Sequence, residues 1–150
     1  MKRFHFQLQT VHDIRESQRD RAERELAEAA AQVSAGAARL NEAERQLSIA
    51  AETYAAMLHA GVIDSYEAAQ RANYILTLTR LQQDARTRLA ALEREREEQR
   101  LAVVEASRAA ETTSRLRERQ HARHNLEVTR QEQNMLDEIA TSAIARQMRN

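Results

Sequence analysis

Large apolar residues in the first third of the chain recur every seven positions, at Leu26, Val33, Leu40, Leu47 and Tyr54. Ala30, Ala37, Ala51 and Leu58 follow members of that row by four residues, and alternating steps of four and three define a coiled-coil seam. Five such residues in strict register rarely arise by chance in so polar a segment. Glu44 breaks the second row. Upstream, Phe4, Leu8 and Val11 extend the stripe, but reaching Leu26 through Ala22 takes consecutive steps of four, a stutter that locally relaxes the supercoil.

The pattern stops after Met57 and Leu58. Gly61 is placed as a helix C-terminal residue in the left-handed conformation, Asp64 as an N-cap, and Glu67 as the partner of a partial capping box. These signals predict a first helix over about 5–59, a turn at 60–64 and a second helix over about 65–146. So short a connection favours antiparallel neighbours.

In the second helix, Leu78, Ala85, Leu92, Ala106 and Thr113 form one row, with Leu89, Val103 and Ala110 on the other. Arg96 and Gln99 interrupt it, and Glu93 to Arg100 carries no apolar residue. Leu116, Leu126, Leu136, Ile139 and Ile144 continue as a sparser stripe. At 1.5 Å per residue the two helices would span roughly 80 Å and about 120 Å, so their lengths do not match. Either the C-terminal helix overhangs its partner by many turns, or the segment 65–79 forms a separate short helix, with Thr77-Leu78-Thr79 as its weak point. The expected fold is all-α: a single elongated domain made of a long antiparallel two-helix coiled-coil hairpin, its seam carried by Leu26, Val33, Leu40, Leu47, Leu58, Leu89, Leu92 and Val103.

Composition agrees with a thin seam rather than a thick core. Aromatic residues make up 3% of the 150, the apolar 42% is mostly Ala and Leu, and there are no Pro and two Gly. Lys plus Arg number 23 and so do Asp plus Glu, and the balance holds in every third of the chain. A basic arm or acidic tail is missing, which argues against nucleic acid as a partner. With no Cys there are no disulfides or thiolate metal sites. No stretch approaches the ~20 apolar residues of a membrane span, and no apolar leader core follows the N-terminus. The chain is therefore expected in the cytoplasm.

Catalysis needs convergent groups in a dry pocket, for which a two-helix hairpin has no thickness. His121 and His124, three residues apart, share a face without a third ligand in view; His5, His12 and His59 are unremarkable. Glu23, Glu25 and Glu28, and the acids of 93–98, alternate with Arg at the spacing of surface ion pairs. Neither Gly lies in a phosphate-binding motif. The expectation is a protein without catalytic site, metal, cofactor or small-molecule substrate, acting by binding other proteins.

Three short segments are more distinctive. Phe4-x-Phe6-x-Leu8-x-Thr10-Val11 with Ile14-Arg15-Glu16, the run Glu132 to Ala140 around Met135-Leu136, and Asn73-Tyr74-Ile75 with Leu78 together resemble the FliJ family, coiled-coil proteins of the flagellar type III export apparatus. The resemblance implies a stalk that enters the ring of the export ATPase, touches the cytoplasmic domain of the export gate and handles export chaperones, peripherally associated with the membrane apparatus. The family's gate-binding face maps loosely onto Gln46, Tyr54, Met57, Tyr74, Leu78 and Leu81, although Tyr54 and Leu78 also belong to the seam rows. By analogy with a rotary stalk, the ATPase-facing end would lie where the termini meet, at Phe4, Phe6, Leu8, Met135 and Leu136, with both Phe exposed. The alternatives are the injectisome counterpart of the same architecture and a self-associating structural coiled coil.

Overall fold

The structure is a computed structural model describing residues 4–61 and 64–147. Val62 and Ile63, in the expected turn, lie outside the described residues. All regular structure among the described residues is helical: α1 spans Gln9–His59 and α2 spans Ser65–Gln147. The ends follow local chemistry. Gly61 takes φ 78°, the left-handed conformation that stops α1. Asp64 caps α2, its carboxylate accepting the Tyr66 N–H at 2.9 Å. The reciprocal half of the capping box is not what Glu67 makes; its carboxylate accepts instead from Arg71 at 2.7 Å, one turn on.

α2 runs through 65–79 without a break, so no separate helix forms there. The β-branched residues are accommodated by back-bonding: Thr77 and Thr79 donate their hydroxyls to the carbonyls of Asn73 and Ile75, at 3.0 and 2.8 Å. At the other end, α1 starts at Gln9, whose N–H bonds the Phe6 carbonyl at 3.1 Å.

The chain divides into two compact units, residues 21–104 and residues 1–20 with 105–150. Within the 21–104 unit the helices run antiparallel: Gly36 faces Leu89 and Leu92, and further along Glu44 accepts from Gln82 and Arg86 at 3.4 and 3.2 Å. Leu26, Val33, Leu40, Leu47 and Tyr54 lie half-buried along α1, opposite the half-buried Leu89, Leu92 and Val103 of α2. The second row of α1 is one residue earlier than the sequence pattern suggested. It reads Ala22, Ala29, Gly36, Ala43, Ala50 and Met57, whereas Ala30, Ala51 and Leu58 are exposed and Ala37 alone of the expected row is half-buried. Leu58 is thus outside the seam and Met57 holds the inward position. Small residues in this row bring the helices together: a methyl group on Gly36 would stand 3.0 Å from Leu92 Cδ1.

Within the other unit, the inward residues of α1 are His12, Arg15 and Arg19, while Leu8 and Val11 are exposed. His12, Arg15, Arg19, Ala22 and Leu26 are separated by steps of three, four, three and four. The heptad is therefore unbroken along α1, and the expected stutter is absent. Polar side chains hold inward positions that a search for apolar letters passes over.

Candidate functional site

Two Phe residues, expected as exposed surface near the N-terminus, are covered by their own chain. Phe6 is 3% exposed, with its ring 6.5 Å from that of His12, itself buried. Phe4 is half-buried against two rings of α2, edge-on to His121 with centroids 4.9 Å apart and tilted over His124 at 5.6 Å. The three-residue spacing of those histidines thus builds an aromatic cradle. Among the described residues, no group of three or more His, Cys, Asp or Glu could hold a metal.

Beneath the Phe residues lies a polar contact that the sequence did not advertise. His12 and Thr113 are the buried polar side chains among the described residues. Thr113 Oγ1 donates to the Ala110 carbonyl at 2.8 Å, leaving a lone pair towards His12 Nδ1 at 3.5 Å. With the hydroxyl proton so used, a bond between the two requires the His12 tautomer that carries its proton on Nδ1. Arg15 reaches across to the Ala109 carbonyl at 3.2 Å. The signal was in the chain, since His12 precedes Leu26 by two heptads.

Past His124, α2 has no segment of α1 facing it. Every described side chain from Thr129 to Ile144 is exposed, including Met135 at 64% and Leu136 at 65%. Ile139 and Ile144 stand exposed on the same stretch. The structure therefore does not gather Phe4, Phe6, Leu8, Met135 and Leu136 into one patch. Met135 is eleven residues beyond His124, or about 16 Å along the helix axis. Of the N-terminal three, only Leu8 is exposed, at 40%.

The second set of candidates, all within residues 21–104, is also divided. Gln46 and Tyr74 line one shallow recess, together with Ile49, Ala50, Thr53 and Arg71. Leu81 lines a separate groove whose floor is Gly36, Ala85 and Leu92 and whose rim carries Arg39 and Asp84. Tyr74 and Leu81 are more than half exposed. Leu78, at 3% exposed, is packed inside, and Tyr54 and Met57 are half-buried in the seam rows. Gln46 is already engaged, donating to Glu42 at 2.8 Å. That carboxylate also takes Arg45 in a two-pronged bond at 2.7 and 2.9 Å. The Arg45 bond first, and the Gln46 bond second, hold the Glu42 carboxyl below its ordinary range.

Among the described residues no helix is long and apolar enough to cross a membrane. What the described residues present is exposed apolar and aromatic surface on helices: one bare stretch of α2 and one pair of recesses. Such surfaces suit protein partners. A family model described as the flagellar FliJ protein matches residues 4–149. No curated protein and no solved structure matches the chain.

Proposed function

Because the chain belongs to the FliJ family of flagellar export apparatus proteins, we propose that it is a non-enzymatic adaptor that binds the export ATPase ring through the bare end of α2. The observation that carries this reading is the exposed stretch from Thr129 to Ile144, with Met135, Leu136, Ile139 and Ile144 uncovered on a continuous helix. Phe4 and Phe6 lie short of that surface, fixing the N-terminal segment on His121, His124 and His12.

Contact with the gate's cytoplasmic domain falls to Tyr74 and Leu81, the exposed members of the second set, with Gln46 beside Tyr74. Leu78, Tyr54 and Met57 act there as packing that holds the helix face in place. Export chaperones are the third class of partner the family implies, and the adaptor works in the cytoplasm at the membrane-bound apparatus. Light scattering of the purified export ATPase with and without this chain tests the reading. The expected result is a larger hexamer fraction when the chain is added; an unchanged profile with no co-migration would overturn it.

A further inference from the structure

Counting charge along the chain conceals an asymmetry around α2. At about 100° per residue, Arg108, Arg115, Arg119, Arg123 and Arg130 fall within a sector of roughly 80°, about 150° from the face that carries Ala110 and Thr113. All five side chains are exposed. Between Ser107 and Gln131 the acids are Glu111, Glu118 and Glu127, and each lies outside that sector. Among the described residues, only Arg115 of the five makes an ion pair, with Glu111 at 2.6 Å. Leu116 and Leu126 are exposed within or beside the stripe, at 37% and 69%. The stripe runs about 33 Å.

We propose that this outward face of α2, which meets the ATPase-facing stretch only at Arg130, docks an acidic helix of a protein partner. Charge complementarity selects the sign, and the geometry selects the class. The arginines are spaced seven, four, four and seven residues apart. Another α-helix lying alongside repeats carboxylates at that interval along one side. Guanidinium forks match carboxylates in bidentate pairs, and the two leucines supply apolar contact between them. A membrane surface is disfavoured, because an interfacial helix must sink a continuous apolar face, and the apolar face of α2 at Ala110 and Thr113 is buried against α1. Duplex nucleic acid is disfavoured because Glu111, Glu118 and Glu127 flank the stripe on both sides and would face its phosphates.

The probe is a synthetic amphipathic helical peptide with Glu at the seven-four-four-seven spacing and Leu between, titrated against the full chain by fluorescence anisotropy. Phosphatidylglycerol vesicles and duplex DNA are run in parallel. Wild type is expected to bind the peptide at low salt and to lose it near ~1 M, where the Debye length is ~3 Å. The double substitution R119E with R123E should weaken binding about tenfold or more, with unchanged helical circular dichroism. R80E, a reversal of an exposed arginine elsewhere on α2, should leave it unchanged. A peptide with Arg replacing the two facing Glu should rebind the doubly reversed chain. Absence of peptide binding, equal affinity of the double variant, failure of the swapped peptide to rebind, or tighter binding to vesicles or DNA would each overturn the proposal.

Discussion

Gly36 faces Leu89 and Leu92 of α2 without a side chain of its own, and the effect of adding one depends on two opposing terms. Replacing Gly by Ala inside a helix favours folding by about 1 kcal/mol. The added methyl would meet Leu92 Cδ1 at 3.0 Å and Leu89 Cδ1 at 3.4 Å, both flexible side-chain ends that can give by tenths of an ångström. The two effects nearly cancel, so Gly36→Ala should unfold thermally within about 0.5 kcal/mol of wild type. Gly36→Leu cannot be absorbed this way and should cost about 1–3 kcal/mol. A Leu variant as stable as wild type would mean that the helices do not close at this residue. Phe6 is the complementary case. Removing its buried ring should cost about 3 kcal/mol and lower hydrogen-exchange protection of the α2 amides around Thr113. Unchanged protection there would place the ring outside the packed interior. The sequence made the large residues of the α1 row legible, but not the small ones. Ala occupies both Ala29 and Ala30, and both Ala50 and Ala51, so alanine letters alone leave the row undetermined by one position. His12, Arg15 and Arg19 were hidden for a different reason. A seam position needs a side chain that can pack, and an arginine stem or a hydrogen-bonded imidazole does so while reading as polar.

At the scale of the helices, termini were written in single residues and were legible: a glycine at positive φ ends one helix and an aspartate caps the next. Continuity was not, because Thr77 and Thr79 are read as weak helix formers until their hydroxyls are seen donating to the preceding turn. Charged pairs three or four residues apart decorate both helices, among them Arg21 with Glu25 at 2.8 Å and Arg100 with Glu97 at 2.7 Å. Each contributes little alone, yet two leave a signature in pH. The Arg45 bond, then the Gln46 bond, lower the Glu42 carboxyl below its ordinary value, and the Arg100 bond lowers that of Glu97. A carboxyl whose folded pKa is depressed stabilises the fold fully above the unfolded value, about 4.3. That contribution is lost as pH falls through the lower folded value. Thermal unfolding followed by circular dichroism should therefore show a falling midpoint below about pH 4.3. Glu42→Gln combined with Glu97→Gln should flatten part of that fall. An identical pH profile in the double variant would show that these pairs do not persist in solution.

For the whole molecule, the family assignment and the surfaces of the two units carry the functional account together. Of the expected contact residues, Tyr74, Leu81, Met135 and Leu136 are exposed, which a binding surface requires but does not by itself establish. The candidate site stops being legible where one letter serves two purposes: Phe6 and Leu78 are as apolar as any docking residue, and both are 3% exposed because their own chain covers them. Burial, unlike hydropathy, depends on what lies opposite, and a single sequence does not state that. The central claim is that the uncovered end of α2 engages the export ATPase, and ATP hydrolysis by the purified ATPase measures it directly. Wild type should raise the hydrolysis rate, and a variant combining Met135→Ser, Leu136→Ser and Ile139→Ser should lose most of that stimulation while keeping its helical circular dichroism. No stimulation by wild type, or equal stimulation by the well-folded triple variant, would contradict the account.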